Sequence, residues 1–127
     1  MLEKCRIQGA YLGQLLHERL MAPNSITAPF TFDIRGGGCF WGIEFDFSCP
    51  EAAGLDFKNE PFAMLIQARC FTNGLVIMGF YGGSNIEGTE GDHAILSPAY
   101  NVTQGEVEKI VDIFVKSVEE VLTEHQQ

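Results

Sequence analysis

An α+β domain, with a small antiparallel or mixed sheet of about four strands and helices packed on it, is predicted by three observations. A capping signal, Thr103-x-x-Glu106, opens a long amphipathic stripe near the end of the chain. Phe30, Phe32 and Ile34 alternate, and the alternation resumes after a glycine cluster through Ile43, Phe45 and Phe47. The remaining apolar runs are short and bounded by glycine or proline. At 127 residues the chain suits one domain, read as positions 1–127. With 46% hydrophobic residues it holds enough apolar material for a core, and disorder is disfavoured.

Taken in order, Cys5, Leu12, Leu15, Leu16 and Leu20 recur at helical spacing and predict a helix over 2–20, weakened by Gly9 and Gly13 and stopped by Pro23. Thr27–Ile34 reads as a half-buried strand, Gly36-Gly37-Gly38 as a turn and Phe40–Phe47 as the returning strand, so the pair is a hairpin. Positions 48–60 read as a loop punctuated by Pro50 and Gly54. Phe62, Leu65, Ile66 and Cys70 share one face of a second helix over 62–72, and Asn73-Gly74 ends it as a left-handed cap. Leu75–Phe80 is a short apolar strand, 81–91 a glycine-rich loop and His93–Ser97 another short strand. The last helix has Thr103 as N-cap and Glu106 at N3. Val107, Ile110, Val111, Phe114, Val118, Val121 and Leu122 follow one stripe along it.

Charge and composition narrow the functions. Only 8 basic residues face 17 acidic ones, a net charge of −9, so no basic face is available for a nucleic-acid backbone. No stretch reads as a spanning helix, and no basic-then-apolar leader opens the chain; a cytoplasmic location is expected. The four cysteines contain no C-x-x-C pair and read as buried free thiols, with disulfide pairing as the alternative, and three scattered histidines give a zinc site only weak support.

Single motifs carry little chemistry. Arg35-Gly36-Gly37-Gly38 precedes no helix N-terminus and reads as a hairpin turn rather than a phosphate cradle. Asp92 and His93 are neighbours on a strand and point to opposite faces; Asp92 reads as a turn residue. His17 and His125 read as solvated surface. Asn101-Val102-Thr103 matches a glycosylation sequon, but the cap role of Thr103 explains the same residues. None of the four lysines, Lys4, Lys58, Lys109 and Lys116, sits where desolvation would turn it into a Schiff-base amine. From pattern alone no catalytic, cofactor-binding or metal-binding residue is assigned.

Three blocks together resemble the C-terminal small domain of the class III aminotransferases, which depend on pyridoxal phosphate. Arg35-Gly36-Gly37-Gly38-Cys39-Phe40-Trp41-Gly42-Ile43-Glu44-Phe45 resembles that family's R-G-x-G-L-x-x-G-I-E hairpin. Gly74-Leu75-Val76 follows a helix and leads to Gly82-Gly83-Ser84-Asn85-Ile86-Glu87-Gly88. Gly91-Asp92-His93-Ala94-Ile95-Leu96-Ser97-Pro98 is similar to the G-D-H-x-L-L-A-P-P block, with the closing helix after it. Cys39 stands for the usual leucine and Ala99 for the second proline. Ile95 stands where some branches of the family place an arginine that clamps the substrate carboxylate, so those branches' substrates do not carry over.

The resemblance implies the small-domain fold of fold-type I pyridoxal-phosphate enzymes. It implies amino transfer between an amine or amino acid and a keto acid or aldehyde in a complete enzyme. Pyridoxal phosphate would bind in that parent only, because the family's Schiff-base lysine lies in a large domain with no counterpart here. The isolated chain is then expected to be inactive, with the large domain or parent enzyme as its partner and self-association open. Phe80, Tyr81, Gly82 and Gly83 are the expected substrate-binding residues, with the aromatics shaping a channel wall and the glycines permitting close approach. Two rivals stand beside this reading. One is a free-standing, non-catalytic interaction module related to aminotransferases. The other is a small thiol enzyme pairing Cys39 or Cys70 with His93.

Overall fold

The computed structural model describes residues 2–23, 25–37, 40–47, 50, 54–57, 60–80, 92–96 and 103–125. In chain order the elements are α1 (Leu2–Leu20), β1 (Thr31–Gly37), β2 (Phe40–Phe45), α2 (Phe62–Thr72), β3 (Met78–Phe80), β4 (Asp92–Leu96) and α3 (Gln104–Glu124). The strands form one antiparallel sheet in the order β1-β2-β4-β3, so β1 and β3 are its edges. The expected α+β architecture and element order are observed.

One face of the sheet is buried. Ile34, Ile43 and Ala94 stand in register across β1, β2 and β4, and all three are buried, as are Phe45 and Leu96 on the same side. The row continues to Gly79 of β3, opposite Ala94. A Cβ on Gly79 would lie 2.5 Å from the Ala63 carbonyl oxygen, so α2 touches the sheet backbone there and only glycine fits. Gly13 does the same for α1, where a Cβ would fall 2.3 Å from the Trp41 ring. The glycine that weakens α1 on propensity is thus the notch that receives the chain's single tryptophan.

The third helix closes the core. Val107, Val111, Phe114, Val115, Val118, Val121 and Leu122 are buried, matching the expected stripe except that Ile110 is only half-buried. The capping box is complete: Thr103 accepts from the Glu106 N–H, and the Glu106 carboxylate accepts from the Thr103 N–H. Such a cap is worth about 1 kcal/mol. Beneath these helices Phe30, Phe45, Phe47, Phe57 and Phe62 form an aromatic cluster, with Phe62 in edge contact with Phe45 at 5.0 Å and Phe47 at 4.7 Å.

Four expectations are corrected. Residues 27–30 are turned rather than extended: the Thr27 hydroxyl donates to the Leu20 carbonyl at 2.7 Å, and the Thr27 carbonyl accepts from the N–H groups of Phe30 and Thr31. The strand therefore starts at Thr31. It also runs on through Gly36 and Gly37, which pair with Trp41 and Phe40. Gly36 has φ 149°, a backbone value that a glycine tolerates best. The strand expected over 75–80 shrinks to Met78–Phe80. Here Asn73 ends α2 with φ −85°, Gly74 adopts φ 97°, and the Leu75 N–H returns to the Cys70 carbonyl at 2.7 Å. That Schellman closure uses the backbone of the next residue as part of the cap. Finally, Asp92 begins β4 instead of a turn, paired with Phe45.

The close contact at Gly79 makes a direct prediction. Gly79→Ala should lower unfolding free energy by about 1–3 kcal/mol, because a rigid carbonyl cannot yield to the added methyl group. Urea denaturation of the 127-residue chain checks it; an unchanged midpoint would mean that α2 and β3 do not meet as described.

Candidate functional site

The opposite face of the sheet carries a different set of side chains. By register, Arg35, Gly42, Ile95 and Met78 form one row, and Asp33, Glu44 and His93 form the next, with the Phe80 backbone at its end. Gly42 leaves a dip in the first row. Arg35, Gly36, Gly42, Ile43, Glu44, His93 and Ile95 line a concavity of about 390 Å³ there. Arg35 donates to Asp33 Oδ2 and Glu44 Oε1, each at 3.2 Å, so one guanidinium bridges two carboxylates across the hairpin. The Glu44 side chain is only 17% exposed, whereas Arg35 is 65% exposed.

This arrangement does not make an anion clamp. Two carboxylates outnumber the one guanidinium, and Ile95 supplies an apolar floor. A substrate carboxylate arriving here would meet a cation already occupied.

Of the expected site residues, Phe80 ends β3 beside His93 on β4. Tyr81, Gly82 and Gly83 lie outside the described residues, as do Cys39 and Lys58. Cys70 is buried in α2, and burial raises its thiol pKa, partly offset by a hydrogen bond involving Ser117. It does not line the His93 concavity. A buried, protonated thiol is a poor nucleophile, which removes Cys70 from the thiol-enzyme rival. His17 is exposed as expected, but His125 is half-buried. Its Nδ1 lies 2.9 Å from the Val121 carbonyl and its ring packs on Phe57 at 5.4 Å. Among the described residues no cluster of histidine, cysteine or carboxylate side chains is placed to hold a metal. No described helix is long and apolar enough to cross a membrane.

A second concavity, of about 620 Å³, runs between the helices and is lined by Arg19, Arg69, Lys116, Glu119, Glu120, Thr123 and Glu124. It is a clasp between elements. Arg69 of α2 pairs with Glu124 and with Glu120 of α3, and Asn73 donates to Glu120 at 3.0 Å and to Ser117 at 2.9 Å. The Asn73 bond, with Lys116 and Arg69 nearby, holds the Glu120 carboxyl below its usual pKa.

The described residues do not fit pyridoxal phosphate. Lys109 and Lys116 are exposed on α3, and in the groove beside Lys116 three carboxylates balance three cations, two of which, Arg19 and Arg69, are already held in ion pairs. A desolvated amine facing a cation-lined phosphate cradle is what that cofactor needs, and neither concavity offers it.

No protein-family model matches the chain. An uncharacterized aminotransferase of Schizosaccharomyces pombe is 29% identical to it over 120 residues, which are 93% of this chain and 24% of that protein. An aminotransferase of Gibberella zeae is 32% identical over 111 residues, covering 87% of this chain and 20% of that one. Among solved structures, a transaminase from ancestral reconstruction superposes with a TM-score of 0.71 at 25% identity, over 95% of this chain and 23% of that chain. The transaminase of a marine Virgibacillus shares the fold with a TM-score of 0.74 at 16% identity, over 96% of this chain and 25% of its own. The chain thus spans about a quarter of the length of the relatives it matches, and corresponds in sequence and fold to one segment of an aminotransferase.

Glu120 supplies a pH prediction. Its folded-state pKa lies below its unfolded value, so its stabilisation is present above the usual carboxylate range and is lost as pH falls through the folded value. Glu120→Gln should lower the unfolding midpoint at pH 7, and the gap to wild type should close below about pH 4. Denaturant titrations across that range test it; a gap independent of pH would show that the charge contributes nothing.

Proposed function

We propose that this chain is the C-terminal small domain of a class III aminotransferase. The complete enzyme moves an amino group between an amine or amino acid and a keto acid or aldehyde. One observation carries the reading: the described parts of the three blocks that resemble the family fall on consecutive structural units. They are the β1–β2 hairpin, the α2–β3 junction and the β4 strand leading to α3. Similarity to proteins named aminotransferase extends over most of the chain and supports it. Bound pyridoxal phosphate would supply the electron sink for such chemistry, held by residues outside this chain.

In that enzyme this domain contributes surface rather than a reacting group. Phe80, Tyr81, Gly82 and Gly83 form part of the substrate-channel wall, at the point where the chain leaves β3. Ile95 and the neutralised Arg35 leave the small domain without a carboxylate grip, so acid selectivity would come from elsewhere. The chain alone performs no transamination on this reading.

Tyr81→Ala in the complete enzyme should change kcat/KM by about tenfold or more for at least one amine or keto-acid substrate, the scale of a lost pocket contact. Steady-state kinetics over a substrate panel check this. Unchanged values for every substrate would remove Tyr81 from the wall.

A second reading, a non-catalytic interaction module related to aminotransferases, is favoured by one feature. Phe71, Val76 and Met78 are exposed apolar side chains, and Phe71 and Val76 border one concavity. A chain that remains a monodisperse monomer and binds no apolar dye would count against it.

A further inference from the structure

The concavity on the sheet's second face holds a charge that its own residues do not balance. Arg35 donates to Asp33 Oδ2 and Glu44 Oε1, so one positive charge stands between two negative ones. Each contact uses one carboxylate oxygen, which leaves Asp33 Oδ1 and Glu44 Oε2 as further acceptors. Glu44 lines the concavity, and Asp33 stands opposite it across the hairpin. The Glu44 side chain is drawn largely out of water, where a carboxylate gains from any additional cation that reaches it.

The rest of the concavity is bare or apolar. Gly42 offers no side chain, and a Cβ there would approach nothing nearer than the Arg35 carbonyl oxygen at 3.8 Å, so the dip is room rather than a packing contact. Ile95 lies opposite Gly42 in register and is half-buried, and Met78 continues the same row on β3. His93 borders the other side, opposite Glu44 and beside the Phe80 backbone, where the proposed channel wall begins. The volume of about 390 Å³ suits a small molecule.

These features select among ligands. A carboxylate meets an excess of negative charge. A hydrated inorganic cation gains nothing from Ile95, and the described residues place no cluster of three metal-ligating side chains. An ammonium on an aliphatic body matches both halves, with its charge at Glu44 and its carbon chain over Gly42 and Ile95.

We propose that this concavity seats the far end of the amine donor, and that this end is a second ammonium held by Glu44 with support from Asp33. The proposal rests on the aminotransferase reading and adds its substrate class: a diamine, in preference to a donor with a distal carboxylate.

The test measures kcat/KM for the complete polypeptide, as its own cell makes it, with three donors of equal chain length. They are cadaverine, pentylamine and δ-aminovalerate, which end in an ammonium, a methyl group and a carboxylate. Work at about pH 8.5 keeps imidazoles neutral, so Glu44 and Asp33 set the charge. Cadaverine should exceed pentylamine by about tenfold or more, and δ-aminovalerate should fall below it. Glu44→Gln should erase the cadaverine advantage. Asp33→Asn combined with Glu44→Gln leaves Arg35 without a counter-charge and should turn the order round, with δ-aminovalerate above cadaverine. Every ratio is taken to pentylamine within one variant, so a loss of folded enzyme cancels. Transamination without a cadaverine preference, or with a preference that survives both variants, overturns the seat and leaves the aminotransferase reading standing. No transamination of any amine or amino acid by the complete polypeptide overturns both.

Discussion

Burial of a single sheet face organises this molecule. Ile34, Ile43, Phe45, Ala94 and Leu96 can leave water only if helices lie over them, and α1 and α2 meet that face through glycine notches. Gly13 takes the Trp41 ring, and Gly79 brings β3 against the Ala63 carbonyl. Each large apolar side chain buried contributes about 1.5–3 kcal/mol, so the shared core outweighs any single polar contact. Both notches depend on a missing methyl group, which makes the sheet-helix spacing a property of two residues rather than of average packing.

The third helix then locks the other two. Its apolar stripe completes the core, while its outer turns carry the polar clasps. Tyr11 of α1 donates to Glu108 at 2.7 Å, Arg19 pairs with Asp112, and Arg69 with Asn73 ties α2 to Glu120 and Glu124. These pairs sit in water and are individually worth little. Their effect is to fix the rotation of α3 once hydrophobic burial has placed it. The cations of the helix groove are tied up in these pairs and matched by as many carboxylates, so the groove offers no free anion site despite its size.

Much of the architecture was legible beforehand because its signals are local. The α1 and α2 limits, the capping box at Thr103 and the buried stripe of α3 follow from spacing and capping chemistry alone. What failed depended on long-range bonds. Alternation of its neighbours predicts strand at Thr27; its hydroxyl instead reaches back to Leu20 and tightens a turn. Apolar character predicts strand at Leu75, yet its N–H closes α2. His125 looked like surface because it follows the last helix turn, yet Phe57 packs on its ring. The Asp33–Arg35–Glu44 bridge was missed, although period-2 alternation puts Asp33 and Arg35 on one face and the hairpin sets Glu44 opposite. The expected channel wall was legible only through the family resemblance, and of its four residues only the Phe80 backbone is described.

Among the described residues the site that emerges is a surface. The sheet's second face offers a neutralised arginine and an apolar floor, the β3 edge offers bare hydrophobic side chains, and Lys109 and Lys116 stand exposed. Those features suit a domain that completes a larger enzyme. The most direct measurement of that claim is the intact mass of the endogenous polypeptide containing this sequence. The account predicts a species about four times the 14.0 kDa of these residues, carrying aminotransferase sequence. A 14.0 kDa species that transaminates by itself when given pyridoxal phosphate would contradict it.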